Sequence, residues 1–353
     1  MRTRKWLKVF LGMTMSMMLM AGCGNSASNP SEDATNDTSE AVTAEAEDTT
    51  QYPITIQHAY GETIIESKPE RIATVGWGNQ DTSLALGVVP VGVSAANYGK
   101  VTENKLHLWT SDAFTALGEE NPVVFDDLDG FDYEGISDTN PDVILAAYSG
   151  MTQEEYDMLS EIAPVVPYTD QPWQTTWRDQ TILNATGMGM KEEGEAKVAE
   201  VEELIAQKTA QYPELAGTNT AFAWISPDDF STFYIYLPAD PRAGFLEDLG
   251  LSVPESVQKM ANSATDFSVT VSRENADQLS DIDMMIVYGD ESLLTALQKD
   301  KLMSQIPAIK NGAVILLDST SALAAATTPS ILSIPDQIDD YLALLVEAHG
   351  KIK

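Results

Sequence analysis

The segment 191–212 has the most regular pattern of apolar and polar positions in the chain. Its apolar side chains recur at spacings of three, four and seven, with glutamate and glutamine on the opposite side, which is the period of an amphipathic helix. A helix of this length spans roughly 33 Å at about 1.5 Å per residue. We therefore predict one long helix, which is either a strut between two lobes or a surface helix of one large domain. The apolar positions are Val198, Val201, Ile205 and Tyr212.

Strand-like and helix-like segments alternate on both sides of this predicted helix. The segments 137–145 and 279–287 lie on opposite sides of it, and each reads as a helix end, a turn and a strand, followed by another helix and another strand. Alternation of strand and helix is typical of parallel sheets. We predict an α/β fold with two lobes of mainly parallel sheet, flanked by helices and joined by one long spine helix.

The first residues have the composition of an export signal. A basic start precedes an apolar run from Trp6 to Met20, and the Met-Ala-Gly that precedes Cys23 resembles a bacterial lipobox, in which the cysteine becomes the lipidated first residue. An unmodified signal peptide with an incidental cysteine is the alternative. The next residues are small, polar and acidic, so they bury too little apolar surface to fold. The predicted organisation is a lipoprotein signal peptide over 1–22, a disordered acidic tether over 23–52, an N-terminal α/β lobe over 53–173, a linker with the spine helix over 174–217, and a C-terminal α/β lobe over 218–353.

Composition argues against several functional classes. The formal net charge of −34 at pH 7 argues against nucleic-acid binding. A single cysteine and three histidines, far apart in sequence, argue against a thiolate or histidine-rich metal site. The motifs G-x-S-x-G, H-E-x-x-H and G-x-x-x-x-G-K-[ST] are absent. We expect a protein that has no catalytic activity, no cofactor and no metal held by its own side chains; an enzyme of unknown type is the remaining alternative.

Aromatic residues at predicted strand ends favour a binding cleft. Ligands of doubly wound sheets collect outside the carboxyl ends of strands, which is where Trp77, Tyr148 and Tyr288 fall. Each of them alone is compatible with core packing, but several in both halves favour a cleft. Arg178 and Arg242 lie beside aromatics at the predicted lobe junction, where a guanidinium suits a flat or oxygen-rich ligand; a salt bridge in a very acidic protein is the alternative. The candidate ligand-binding residues are Trp77, Tyr148, Trp173, Trp177, Arg178, Tyr234, Tyr236 and Arg242.

A series of short motifs in one order resembles the lipid-anchored substrate-binding proteins of ferric-siderophore ABC importers, in the group that also carries cobalamin and haem. The resemblance covers roughly 54–349. It implies a class III periplasmic binding protein-like fold, with a shallow cleft between two lobes. Its motifs include Pro69-Glu-Arg-Ile-Ala-Thr-Val, Leu86-Gly-Val-Val-Pro-Val-Gly, Asn140-Pro-Asp-Val-Ile-Leu-Ala, Asp240-Pro-Arg and Thr328-Pro-Ser-Ile-Leu-Ser-Ile.

The resemblance also implies a function and a set of partners. The protein would capture a ferric siderophore outside the cytoplasm, with the iron held by the siderophore, and deliver it to the permease subunits of an ABC importer. Each lobe would dock through one surface carboxylate, and Asp81 and Glu247 stand at the matching positions. We expect a monomer that is anchored to the membrane through lipidated Cys23.

The small number of arginines bears on the ligand. A tris-catecholate complex carries three negative charges and would need more cationic partners than this cleft offers, so hydroxamate or mixed-carboxylate siderophores are favoured. Haem and cobalamin, which are carried by the same group of proteins, are the alternative ligands.

Overall fold

A computed structural model describes residues 50–127 and 129–353. The predicted signal peptide, the lipidation site Cys23 and all but the last residues of the predicted tether lie outside the described residues. The described part opens with an antiparallel hairpin of β1 (Ile54–His58) and β2 (Gly61–Ile65), as the sequence predicts.

The first of two five-stranded sheets, called here the N-terminal sheet, is entirely parallel and has the strand order β5-β4-β3-β6-β7. Its central strands β4, β3 and β6 are buried along their whole length because helices cover both faces. The strands are β3 (Ile72–Thr74), β4 (Gly92–Ser94), β5 (Val124–Phe125), β6 (Val143–Ala146) and β7 (Val165–Pro167). The helices are α1 (Asn79–Ala85), α2 (Leu108–Ala116), α3 (Tyr133–Asp138), α4 (Gln153–Ser160) and α5 (Trp177–Gly187).

The predicted spine helix is α6 (Lys191–Thr209), which ends three residues before the predicted Tyr212. Pro213 disfavours helical backbone at the residue before it, and a short 3-10 helix, Pro213–Leu215, follows. Of the predicted apolar stripe, Val198, Val201 and Ile205 are buried and Tyr212 is partly buried, and all four pack in one core cluster with side chains of the C-terminal half of the chain. Gly194 allows close contact with α5, because a Cβ atom there would lie 2.5 Å from the Cβ of Ala185.

The second sheet, called here the C-terminal sheet, has the order β10-β9-β8-β11-β12. Its β8, β11 and β12 are parallel, and β9 and β10 add an antiparallel edge. The strands are β8 (Thr220–Trp224), β9 (Thr232–Tyr236), β10 (Ser268–Ser272), β11 (Met284–Tyr288) and β12 (Val314–Leu317). The helices are α7 (Pro241–Asp248), α8 (Glu255–Gln258), α9 (Glu291–Lys299), α10 (Pro307–Asn311), α11 (Ala322–Ala326) and α12 (Ser333–His349), with 3-10 helices at Arg273–Leu279 and Met303–Gln305.

The two sheets confirm the predicted fold class, while the lobe boundaries at 173 and 217 stay predictions. Both sheets belong to one compact unit. No helix among the described residues is long and apolar enough to cross a membrane.

Asp81 forms a second connection between the halves of the chain, in addition to α6. Its side chain on α1 is buried, with 1% exposure. It accepts hydrogen bonds from the indole Nε1 of Trp109 at 2.9 Å, from Oγ1 of Thr110 at 2.8 Å and from the hydroxyl of Ser330. Ser330 lies between α11 and α12, so one carboxylate joins helices of the N-terminal sheet to the segment that follows the C-terminal sheet.

The prediction that Asp81 docks on a permease is therefore wrong. A carboxylate that is buried and holds several donors within the fold cannot reach an arginine on another protein. Its neighbours Asn79, Gln80, Thr82 and Ser83 are also buried, so this polar stretch of α1 is an interior element.

Replacing Asp81 by Asn should change how stability depends on pH. Burial raises the pKa of Asp81 to about 6 from its ordinary 3.8, although its hydrogen bonds oppose the rise. The folded state therefore keeps this proton at a pH where the unfolded state has lost it, so the contribution of Asp81 to stability is complete below pH 3.8 and is lost as pH rises through about 6. The free energy of unfolding of the unaltered protein, minus that of Asp81→Asn, should fall by about 2 kcal/mol between about pH 4 and pH 7.

Urea unfolding at several pH values measures this difference. The same replacement at Asp277, an exposed residue, controls for the loss of a carboxylate in general. A difference that stays constant or grows with pH would contradict the pH dependence assigned to Asp81.

Candidate functional site

A cavity with a volume of about 940 Å³ is lined by residues from both halves of the chain. Trp77 and Tyr148 follow β3 and β6 of the N-terminal sheet, and Tyr236 and Tyr288 end β9 and β11 of the C-terminal sheet. The carboxyl ends of β3, β6 and β11 face the cavity, as expected for the parallel strands of α/β sheets. The strand β9 also ends at the cavity, but it runs antiparallel to its neighbour β8. We call this space the main cavity.

Eight of the 18 residues that line the main cavity are aromatic. Tyr98 and Tyr288 meet from opposite halves of the chain, edge to face, with ring centroids 6.0 Å apart. Tyr148 and Trp173 meet in the same geometry at 5.3 Å. Trp173 and Trp224 are 42% and 40% exposed, so they form an open apolar rim. The aromatic lining residues are Trp77, Tyr98, Tyr148, Trp173, Trp224, Tyr236, Phe267 and Tyr288.

Trp77 is held in the wall by the backbone on either side of it. Gly76 and Gly78 have φ values of 81° and 67°, which favour glycine. A Cβ atom at Gly76 would lie 2.8 Å from the carbonyl oxygen of Tyr148, so this close approach also requires glycine. The Trp77 N–H donates to that same oxygen at 3.1 Å, and the Gln180 side chain donates to the Trp77 carbonyl at 2.8 Å.

Arg242 supplies the only positive charge among the residues that line the main cavity. Its Nε donates to Oδ1 of Asp240 at 2.9 Å, its Nη2 donates to the other oxygen, and its Nη1 donates to the hydroxyl of Tyr288 at 3.3 Å. The guanidinium carbon lies 4.0 Å from the ring centroid of Tyr236, a cation–π distance. Burial opposes the charged form, but the hydrogen bonds and charge of Asp240 outweigh it and raise the pKa of Arg242.

The rest of the main cavity's charge is negative. The Asp240 side chain has no exposed area, so its charge is matched to Arg242 inside the protein. Asp290 and Asp318 also line the cavity, and hydrogen bonds from Ser292 and Thr320 respectively lower the pKa of these two carboxyls. The site therefore offers a guanidinium whose charge is already compensated, together with two carboxylates.

Five of the eight predicted ligand-binding residues line the main cavity: Trp77, Tyr148, Trp173, Tyr236 and Arg242. Their contact with a ligand stays a prediction. Tyr234 lies outside the wall, but its ring is 5.8 Å from that of Trp224, which belongs to it.

The structure does not bring Trp177 and Arg178 into the main cavity, which contradicts their predicted placement in the cleft. The Trp177 side chain is buried, and its indole N–H donates to Asp248 at 3.0 Å. Arg178 donates to the same carboxylate at 2.8 Å and pairs with Glu202 of α6. These side chains join α5 to α6 and α7. The ion pairs of Arg178 with Glu202 and Asp248 agree with the alternative given for this residue, a salt bridge in a very acidic protein.

Sequence reasoning missed Tyr98, Trp224 and Phe267, and left Tyr288 out of the candidates although it ends a predicted strand. Trp224 also ends a strand, β8, so its position carried the same signal. Tyr98 and Phe267 lie in loops, where local pattern gives no direction for a side chain. Within residues 50–127 and 129–353, no group of three or more His, Cys, Asp or Glu side chains could hold a metal ion.

Comparison with known proteins agrees with this architecture. The crystal structure of PiaA from Streptococcus pneumoniae TIGR4 in complex with ferrichrome superposes with a TM-score of 0.81 at 45% identity, covering 85% of this chain and all of that one. The Fe(3+) dicitrate-binding periplasmic protein FecB of Escherichia coli K12 is 24% identical over 276 residues, which is 76% of this chain and 84% of that protein.

A third relative matches this chain over a shorter stretch. The putative ABC transporter substrate-binding lipoprotein YhfQ of Bacillus subtilis 168 is 25% identical over 201 residues, and the match spans about half of each protein, 56% of this chain and 54% of that one. A family model described as periplasmic binding protein matches residues 72–320, which includes both sheets. This chain belongs to the periplasmic binding protein family.

Proposed function

We propose that this protein captures a ferric hydroxamate siderophore outside the cytoplasm and delivers it to an ABC import permease, without catalysing a reaction. The family membership and the likeness to PiaA, whose structure holds ferrichrome, support a siderophore as the ligand. The iron would be held by the chelate. No cofactor is needed for this role.

The observation that carries the choice of hydroxamate is the pairing of Arg242 with buried Asp240. Three hydroxamate groups cancel the charge of Fe³⁺, so such a complex is neutral at its metal centre, whereas a tris-catecholate complex keeps three negative charges. An anionic complex would have to enter beside Asp290 and Asp318 and find only a guanidinium that Asp240 already neutralises. Removing such a charged complex from water without an unpaired cation beside it costs more free energy than its contacts in the cavity recover.

The wall chemistry suits a neutral chelate of this kind. Aromatic faces bury the apolar rim of the complex, and Tyr98, Tyr236 and Tyr288 carry hydroxyl groups that can donate to oxygens bound to iron. Arg242 still has donor capacity toward a ligand, because a guanidinium carries five N–H groups and only some are used by Asp240 and Tyr288. A charge-assisted hydrogen bond from it would orient the complex without requiring the ligand to be charged.

A panel of ligands tests the proposal through quenching of tryptophan fluorescence, since Trp77, Trp173 and Trp224 line the main cavity. Ferrichrome should bind at least about a hundredfold more tightly than a ferric tris-catecholate or ferric citrate, a difference of about 2.7 kcal/mol. Haem and cobalamin belong in the same panel. The proposal fails if haem, cobalamin or an anionic chelate binds more tightly than every ferric hydroxamate.

We further propose that Glu247 is a contact point for the permease. Its side chain on α7 is exposed, on the half of the protein that carries the C-terminal sheet. A carboxylate there can pair with an arginine on a partner, and the acidic surface would steer the approach to a basic face. We also propose a membrane anchor at Cys23, supported by the lipobox-like sequence and by the likeness to YhfQ, named as a lipoprotein.

Glu247→Lys should abolish uptake of the ferric siderophore in cells while leaving the affinity of the purified protein within about twofold, because reversed charge at an exposed interface residue repels the partner and spares the cavity. The control is Glu214→Lys, the same reversal at an exposed residue of the 3-10 helix Pro213–Leu215. Normal uptake by the Glu247 variant would remove this residue from the docking surface.

A further inference from the structure

A second cavity, which we call the side cavity, lies next to the main cavity. It has a volume of about 300 Å³ and is built from residues of the N-terminal sheet and its connections. It sits beyond the carboxyl ends of β3, β4, β5 and β6, where α/β sheets bind ligands. Trp77 and Trp173 line both cavities, so the two spaces adjoin along these side chains. The side cavity has about a third of the volume of the main cavity, which suits a group attached to the chelate better than the chelate itself.

The Asp127 carboxylate gives the side cavity its charge. It accepts a hydrogen bond from the Ser94 hydroxyl, which itself accepts from the Gly76 N–H at 3.0 Å, and it accepts from the Asp132 N–H at 3.3 Å. These bonds run across the ends of β3, β4 and β5 and fix the position of the carboxylate in the wall. Glu155 lines the same cavity.

This carboxylate has no cationic partner among the described residues. The nearby lysine, Lys105, pairs with Asp126 instead. Burial raises the pKa of Asp127, the hydrogen bonds from Ser94 and the Asp132 N–H oppose this rise, and the charges of Asp132 and Asp126 add to it. The residues that line the side cavity include no lysine, arginine or histidine. A positively charged group that enters the side cavity would therefore compensate the charge of Asp127, which no residue of the cavity wall does.

The other walls suit a cation with an apolar stem. Trp77, Trp173 and Phe131 present aromatic rings to the side cavity. The Trp173 indole lies directly against Gly150, because a Cβ atom on Gly150 would be 2.2 Å from the indole Nε1. The backbone N–H of Trp173 donates to the Ser149 carbonyl at 3.1 Å. Aromatic faces attract ammonium groups, most strongly where water is excluded, and they cover methylene groups equally well.

We propose that the side cavity binds an alkylammonium arm of the ferric hydroxamate that occupies the main cavity. This inference rests on the proposed function and deepens it, because it selects among neutral-centred chelates those that carry a positively charged side arm. The methylene stem passes Trp77 and Trp173, and the ammonium group donates to Asp127. A chelate without such an arm fills the main cavity alone.

The test compares three chelates on the same protein. Ferrioxamine B is a linear ferric trihydroxamate with a terminal alkylammonium group, its N-acetyl derivative keeps the chelate and removes the charge, and ferrichrome has no such arm. The unaltered protein should bind ferrioxamine B about tenfold more tightly than the acetylated form, as expected for one charge-assisted hydrogen bond. Physiological ionic strength screens the general attraction of a cation to the acidic surface.

Two variants locate the effect. Asp127→Asn is nearly isosteric and should bring the ratio of the two affinities close to one, since the amide keeps an oxygen for Ser94 but lacks the charge. Asp277→Asn, the same replacement at an exposed residue of the 3-10 helix Arg273–Leu279, should keep the tenfold ratio.

The outcomes separate this inference from the proposed function. Ferrichrome binding together with equal affinities for ferrioxamine B and its acetylated form in the unaltered protein would overturn the inference alone. A tenfold ratio that survives Asp127→Asn would also overturn it. Failure of the unaltered protein to bind any of the three chelates would overturn the proposed function and the inference with it.

Discussion

The buried carboxylate of Asp81 is the constraint on which the geometry of the main cavity depends. An ionisable group in an apolar interior is tolerated only where donors satisfy it, and those donors come from α2 and from Ser330, 249 residues further along the chain. The indole of Trp109 that donates to Asp81 stacks on His107 with ring centroids 4.6 Å apart. His107 in turn contacts Trp77 at 4.9 Å, so a continuous series of packed groups runs from the carboxylate to the wall.

The spine helix is the other connection between the two halves of the chain. Its apolar stripe packs with α7 and α12, and Gly194 brings its backbone against α5. Trp177 and Arg178 add polar contacts to Asp248 and Glu202 on α7 and α6. Two sheets that are joined both by a packed helix and by a buried carboxylate have little freedom to rotate about a single hinge. The main cavity is therefore largely preformed, and its selectivity has to come from shape and charge.

The sequence predicted the periodic features of this fold well and the long-range polar ones poorly. The stripe of Val198, Val201 and Ile205 predicts α6, because the spacing of apolar positions in a helix is set by residues only three or four apart. Asp81 lies in a run of polar residues, a pattern typical of a solvent-exposed helix face. The run is buried against residues that are distant in sequence, so local pattern does not reveal its burial. Arg178 and Arg242 look equivalent as arginines beside aromatics, but one meets Asp248 and Glu202 outside the cavity and the other meets Asp240 in its wall. Only the tertiary arrangement tells them apart.

Pairing Arg242 with Asp240 has a consequence for the ligand that a lone arginine would not have. A lone guanidinium in an aromatic cavity would attract anionic chelates generally, and affinity would follow their charge. Buried Asp240 removes that attraction while it fixes the direction in which the remaining N–H groups point, since two of the arginine's nitrogens are held by its oxygens. The remaining N–H groups then orient a ligand by where its oxygens lie, and no uncompensated cation in the wall favours a ligand for its negative charge. In a protein of net charge −34, this arrangement suits the neutral complex proposed above, because the acidic surface already repels anions and the cavity offers them no uncompensated cation.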